Sequence, residues 1–486
     1  MKNVILICIC FSTLMATAQN ADITTQLYDS YEQYKEPSLG KRRIKHKDLQ
    51  PLIAKYSKNS KFTVKKVGES IEGRDLSLIS IGKGKTNVFL WSQMHGNEPT
   101  ATQAIFDIFN FLDSNSFTQE KEAILSELTL HFLPMLNPDG AEVFQRRNTL
   151  GIDINRDAQR LQSPEGQTLK RVRDSLDADF GFNLHDQSTY YNAELTDKPA
   201  TISYLAPAYN YEKDINEVRG NAMKVIVFMN SIIQKYAPGQ VAKYNDDFEP
   251  RAFGDNIQKW GTSTILIESG GYPNDVEKQE IRKLNYVSIL SAIYTIANGN
   301  YKNIPLEDYK KIPENNRMLF DLKIEAATYN LLGKPYILDI GIQRPEVDNA
   351  DFSDFNYSSR VIDQGDLSTY YGYSTFNAEG YTIIPAKIYP EVKNYEDVKS
   401  LNFHDILKKG YAYVKVNNLP KKDLFTSYTV HLVSTTYKTP EFRIKEGINP
   451  TFFLAKNGTI THAVINGFLV DVNAKDITFK NSMIYR

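Results

Sequence analysis

Val88-Phe89-Leu90-Trp91-Ser92-Gln93-Met94-His95-Gly96-Asn97-Glu98-Pro99 decides how the first half of the chain is read. The run Val88 to Trp91 is short and continuously apolar, as expected of a buried strand. It leads into a polar turn, and beyond the turn Ala104, Ile105, Ile108, Phe109 and Leu112 recur at helical spacing. A strand, a turn and an amphipathic helix follow one another within about 25 residues, the signature of an α/β unit.

The same alternation continues outward from this stretch. Leu128 to Met135 reads as a strand that stops at Asn137-Pro138-Asp139-Gly140, a strong turn signal. Ser163 to Leu176 reads as a helix with Ser163 as N-cap and Pro164 in the first turn. Phe180 to Leu184 is strand-like and ends at His185. Tyr211 to Tyr236 is helical, Ser263 to Ile267 is a β-branched run ending at Glu268-Ser269, and Val276 to Ala297 is helical again. The expected fold is α/β, a mixed β-sheet flanked by helices. In such sheets ligands bind beyond the carboxyl ends of the strands. His95, Asn137, His185 and Glu268 all stand there, the pattern of one shared site.

After residue 300 the character changes. Residues 301–317 are polar, hold Pro305 and Pro313, and read as a linker. Residues 318–486 read as a C-terminal β-rich domain, a sandwich or small barrel. Its expected strands are Tyr336 to Ile342, Tyr381 to Ile388, Tyr411 to Val416, Tyr428 to Ser434 and Thr459 to Val470.

At the N-terminus, Lys2 precedes an apolar run from Val4 to Met15 and then Ala16-Thr17-Ala18. This reads as a secretory signal peptide, residues 1–18, too short for a membrane span, so the protein is expected to be exported. Residues 19–300 are then expected to form one domain, the one that holds the shared site. Cys8 and Cys10, the chain's 2 cysteines, lie inside the leader, so the mature chain has neither disulfide nor thiol nucleophile. A net charge of −1 over 486 residues gives no electrostatic case for nucleic acid. The bulk composition, 41% hydrophobic and 24% charged, is that of a folded soluble protein.

With no cysteine left, a metal must be held by His, Asp or Glu. His95-x-x-Glu98 puts an imidazole and a carboxylate three residues apart, so both can face one ion. A catalytic zinc site takes three protein ligands and keeps one position open. His185, at a strand end and followed by Asp186, is the candidate third ligand. His131 lies within an apolar strand, and His46, His404, His431 and His462 fall outside the site region. Glu268 is placed to move a proton as a general base.

The ordered set His95-x-x-Glu98, Asn137-Pro138-Asp139-Gly140, Asp153-Ile154-Asn155-Arg156, strand-end His185 and strand-end Glu268 resembles the zinc carboxypeptidase family, over residues 60 to 300 only. The resemblance implies one zinc ion on His95, Glu98 and His185, with Glu268 as general base. It implies that Asn155 and Arg156 grip the terminal carboxylate of a peptide substrate, a pairing that suits the planar guanidinium. The family's spacing back from Asn155 assigns the oxyanion-stabilising arginine to Arg146, with Arg147 the close alternative. Asp153 is implied to orient a zinc-bound histidine, His95 above all.

Several features depart from the digestive enzymes of the family. The short separation of His95 and His185 and the His-Gly-Asn-Glu wording are similar to the compact branches, which include murein-peptide amidases and aspartoacylase-like deacylases. Asp157 stands where the family usually has Asn. Tyr244 is the nearest candidate for the family's tyrosine, and Asp255 is a candidate for favouring a basic side chain. The activity implied is hydrolysis of an amide bond beside a carboxylate-bearing terminus. The alternatives are a cell-wall peptide amidase or N-acyl amino acid deacylase, or an inactive peptide- or glycan-binding protein. The sequence does not set the oligomeric state.

Overall fold

The computed structural model describes residues 23–475 and 481–486; the expected leader, with Cys8 and Cys10, lies outside them. The described residues fall into two compact units that divide between Arg317 and Met318.

The first unit is built on an eight-stranded sheet. Its strands are β1 (Thr63–Glu69), β2 (Asp75–Gly82), β3 (Thr86–Ser92), β4 (Leu128–Leu133), β5 (Phe180–Asp186), β7 (Ile202–Leu205), β8 (Val241–Lys243) and β9 (Ser263–Ser269). The two-residue strand β6 (Asn192–Ala193) pairs separately with β10 (Asn315–Asn316). The order across the sheet is β1-β2-β4-β3-β5-β9-β7-β8. The centre, β4-β3-β5-β9, is parallel, whereas β2 meets β4 and β7 meets β9 antiparallel. The sheet is therefore mixed, with helices on both faces.

The apolar run that opened the sequence argument explains the two layers. Side chains alternate across a strand. Val88 and Leu90 point into one core with the helices Thr100–Asp113, Glu217–Ile233 and Gln279–Ala297. Phe89 and Trp91 point into a second core with Leu169 and Val172 of helix Pro164–Leu176 and with Phe253 and Ile257 of helix Phe253–Lys259. All four side chains are fully buried. Burying a side chain of this size contributes about 1.5–3 kcal/mol.

Element ends differ from expectation in local ways. The helix expected from Tyr211 runs Glu217–Ile233, because Asn216 caps it by accepting a bond from the Arg219 N–H. The helix expected from Val276 begins at Gln279, since Lys278 takes a left-handed conformation with φ 52°. Ser163 caps Pro164–Leu176 as expected. Asn137-Pro138-Asp139-Gly140 starts a short helix, Pro138–Glu142, with the Asn137 side chain accepting from the Gly140 N–H.

The stretch 301–317, expected to be a linker, is packed onto the first unit. Tyr301, Tyr309 and Ile312 are buried in its main core, and β10 is stitched to β6. Two aromatic residues and an isoleucine override a polar, proline-bearing composition.

The second unit holds an eight-stranded and a six-stranded sheet, plus a two-stranded one. Its strands Phe452–Lys456 and Thr459–Ile465 are buried on both faces: Phe452, Leu454 and Val464 face one core, Phe453, Ala463 and Ile465 the other. The second core is shared with Val414 and Leu432 of the six-stranded sheet, so the unit is layered, and neither sheet closes into a barrel among the described residues. The strand expected over Thr459 to Val470 is a hairpin that turns at Asn466-Gly467, both at positive φ, as a two-residue hairpin turn requires. The strand expected over Tyr428 to Ser434 is confined to His431–Val433.

Candidate functional site

Three of the candidate donors come together where β3 and β5 end. His95 and Glu98 lie in the turn between β3 and the helix Thr100–Asp113, closed by a bond from the Glu98 N–H to the His95 carbonyl at 3.1 Å. The turn is one residue short of a helical start, so the pair faces one point without being helical. Gly96 is required there: a Cβ would sit 2.1 Å from the Gly140 backbone. His185 is the penultimate residue of β5, and in register beside it on β9 stands Glu268.

The Nδ1 atom of His95 lies 2.9 Å from Glu98 Oε1, and that of His185 lies 2.7 Å from Glu98 Oε2. The two Nδ1 atoms are 3.2 Å apart. Donor atoms of all three residues lie within 4.8 Å of one another, and all three are buried. Two imidazole nitrogens and a carboxylate converging on one point form a donor set suited to zinc. The opposite ring nitrogen of His95, Nε2, meets Asp153 Oδ1 at 3.1 Å, which fixes the ring with Nδ1 facing the centre.

The electrostatics follow from packing carboxylates together away from water. Burial would raise the Glu98 carboxyl, but His95 and His185 outweigh it and hold it far below the usual range. Glu268 goes the other way: burial, then the charges of Glu98 and Asp186, push it well above the usual range, and Arg146 and Lys278 offset this only in part. Its carboxylate makes no hydrogen bond or ion pair among the described residues. Asp186 is spoken for by Lys278 Nζ at 3.0 Å and by the Thr100 hydroxyl at 2.5 Å.

Arg146 lines the same pocket. Its Nε donates to Asp153 Oδ2 at 2.9 Å, and Nη1 lies 3.1 Å from His95 Nδ1 and 3.5 Å from Glu98 Oε1. The backbone here is set by Asn137, whose Nδ2 donates to the Arg146 carbonyl at 3.2 Å. Arg147 points elsewhere: it is exposed, donates to the Gly151 carbonyl at 2.8 Å, and does not line the pocket. Of the two arginines, Arg146 is the one whose side chain lines the pocket.

Asn155 and Arg156 also line the pocket. Asn155 Oδ1 accepts from the Phe253 N–H at 2.9 Å, leaving its amide nitrogen toward the cavity. Arg156 Nε pairs with Glu249 at 3.3 Å. Asp157, the departure from the family pattern, is buried and accepts from Ser163 N–H and hydroxyl at 2.8 and 2.7 Å; it anchors the start of the next helix. Asp255 lines the pocket, and burial pushes its carboxyl up to about 7 against the opposing Glu249 N–H and Arg156. Tyr244 lines it too, its phenol raised by burial and then by the charge of Glu268. The ring packs edge-on to Tyr191 at 6.0 Å. His131 is a satisfied core histidine, with Ser80 and Asn87 on its ring nitrogens.

The pocket has a volume of about 940 Å³. Its wall includes residues that the motifs did not flag: Asn183, Gln187, Ser188, Tyr191 and the segment Glu314 to Arg317. Asn183 was legible in principle, two residues before His185 on the same face of β5. The 314–317 segment carries no motif.

Residues 49–219 match the family model for zinc carboxypeptidases. Over this stretch the chain is similar to the zinc carboxypeptidase family. It is similar to carboxypeptidase E of Caenorhabditis elegans, 31% identical over 122 residues, which cover 21% of this chain and 26% of that protein. It is also similar to carboxypeptidase B of Astacus astacus, 37% identical over 81 residues, 16% of this chain and 26% of that protein. The chain thus spans about a quarter of the length of these curated relatives. Among solved structures, a metallo-carboxypeptidase from Burkholderia cenocepacia aligns at 16% identity with a TM-score of 0.42, over 52% of this chain and 69% of that one. The zinc carboxypeptidase match takes in His95, Glu98, Arg146, Asp153, Asn155, Arg156 and His185; Tyr244, Asp255 and Glu268 lie beyond its end. The family implies zinc, and the donor set of this chain fits it.

Proposed function

We propose that the protein is a zinc-dependent metallocarboxypeptidase, hydrolysing the amide bond next to a carboxylate-bearing terminus of a peptide. One observation carries the reading: His95, Glu98 and His185 converge in the same pocket as Glu268, Arg146 and the Asn155–Arg156 pair. His95, Glu98 and His185 would hold the metal. When bound, zinc polarises water and the scissile carbonyl.

The chain's own residues supply the rest. Glu268 accepts the proton of the attacking water and delivers it to the departing nitrogen. It stands in register beside His185, within the same pocket as the three donors. Arg146 donates to the oxyanion as it forms, held in place by Asp153. Arg156 and Asn155 receive the terminal carboxylate, with Glu249 as the partner that it displaces. Asp255 favours a basic terminal side chain, whose charge would draw the Asp255 proton off. The apolar run ending in Ala16-Thr17-Ala18 supports export of the protein.

The test is metal analysis of the purified protein together with a peptide series bearing free or amidated C-termini. The expected result is about one zinc per chain and cleavage restricted to free C-termini. Equal cleavage of amidated peptides would end the anchoring role of Arg156. Glu268→Gln is expected to lose about 10²–10⁴-fold in kcat while retaining zinc; near-normal turnover in that variant removes Glu268 from the mechanism.

A further inference from the structure

The segment Glu314 to Arg317 carries no catalytic motif, yet it builds one wall of the pocket. It is tied down along its length. The Lys243 N–H donates to the Pro313 carbonyl at 2.6 Å, and the Glu194 N–H to the Glu314 carbonyl at 2.7 Å. Asn315 Nδ2 donates to Gln187 at 3.2 Å, and Asn316 Nδ2 to the Glu194 carbonyl at 3.1 Å. Gln187, two residues after His185, lines the same pocket as the metal donors. The carboxylate anchor is elsewhere, against Glu249 and Phe253.

Charge matching around the pocket singles out Arg317. Among the lining carboxylates, Asp186 is paired with Lys278, Asp247 with Lys213, Glu249 with Arg156 and Arg251, and Glu314 with Lys243. Among the lining cations, Arg146 is paired with Asp153 and Arg156 with Glu249. Arg317 is the lining cation without a carboxylate partner among the described residues. It is exposed to the pocket while its backbone is pinned by the Asn315–Asn316 strand. A fork of guanidinium donors on a fixed backbone, facing a cavity, is an anion receptor.

We propose that Arg317, positioned by the β6–β10 pairing, is a specificity residue that binds a second carboxylate of the substrate: an acidic side chain on the amino side of the scissile bond. This rests on the peptidase reading above. With the terminal carboxylate held at Asn155 and Arg156, the rest of the peptide leaves the centre past the other walls, and Arg317 stands on one of them. The substrates favoured are acidic peptides, in which one carboxylate anchors the terminus and another meets Arg317.

The test uses N-acylated peptides with one common free C-terminal residue, in which a single Glu, or Gln as its uncharged match, is placed one, two or three positions before the scissile bond. With the full-length zinc-loaded protein, kcat/KM for Glu over Gln is expected to be about three- to tenfold at one of the positions. Arg317→Ala should bring that ratio to about one, Arg317→Lys should keep part of it, and Arg317→Glu should invert it. The same peptide pairs are titrated calorimetrically into Glu268→Gln, alone and combined with Arg317→Ala. The Glu preference should appear there without turnover and shrink in high salt. A Glu-to-Gln ratio that Arg317→Ala leaves unchanged, or the absence of any Glu preference at all three positions, overturns the proposal. If the full-length protein cleaves no peptide, the peptidase reading fails, and the titrations still decide whether Arg317 reads a carboxylate.

Discussion

Asp107 and Arg282 lie deep between two helices, and Glu98 and Glu268 lie beside the ends of two strands; both groups place charge in buried positions. They are completed differently. Arg282 grips Asp107 with two bonds, at 2.7 and 2.5 Å, and donates further to the carbonyls of Leu39 and Glu36. Asp107 also accepts from the Tyr31 hydroxyl and the Glu36 N–H, so the N-terminal segment is strapped over the pair. Both Asp107 oxygens and all three Arg282 nitrogens have partners there. At the strand ends, two imidazole nitrogens and a carboxylate crowd a single point, and Glu268 stands beside them unbonded with its proton affinity raised. A buried cluster that satisfies itself holds the fold. One that leaves charge unmatched is waiting for something from outside.

The largest effect is expected at Arg282. Arg282→Ala strands Asp107 as an uncompensated buried charge, and a loss of about 3–5 kcal/mol in urea unfolding is expected. The double change Asp107→Leu with Arg282→Leu should cost less than Arg282→Ala alone, because it removes both charges. A single variant as stable as the wild type would show that the strap is not self-contained.

Asp153→Asn comes next. It leaves His95 without its carboxylate partner and should weaken zinc binding about 10–100-fold in competition with a chelator, with little change in stability of the metal-free protein. Equal zinc affinity would mean that the ring is oriented by packing alone.

The smallest effect is at Asp255. Its folded proton affinity is raised to about 7 by burial, so ionising it costs stability as pH rises from its unfolded value through neutrality. Asp255→Asn should therefore match the wild type near pH 4 and exceed it near pH 8 by about 1–2 kcal/mol, once solvent screening of a half-buried group is allowed for. A wild type more stable than the variant at pH 8 would reverse the sign and the argument.

What was legible in the sequence was what lies close along the chain. His95 and Glu98 are three residues apart, Asp153 to Arg156 are contiguous, and His185 and Glu268 each close an apolar run, so strand ends and local pattern point to one shared site. The choice between Arg146 and Arg147 was not legible, because it depends on which way a backbone turns, here governed by a bond from Asn137. Lys278 was not legible as the partner of Asp186, being 92 residues away with a left-handed backbone of its own. In the second unit the strands could be read but not their partners: Tyr371–Asn377 pairs with Leu319–Leu331 and Tyr411–Asn417 with His431–Val433, both parallel, and pairings of that kind are set by packing rather than by turns. The 301–317 stretch misled because composition averages over Tyr301, Tyr309 and Ile312, three side chains that dominate its energetics.

That stretch has a consequence for the order in which the molecule comes into being. A chain made from its N-terminus has the three candidate metal donors by residue 185 and the proposed proton carrier by residue 268. Its cleft lacks a wall until Arg317 has been added and β10 has zipped onto β6. A nascent chain halted anywhere before that point carries the pocket's candidate donors without one of its walls. Completion of the cleft is thus a late event in biosynthesis, tied to the last residues before the second unit begins.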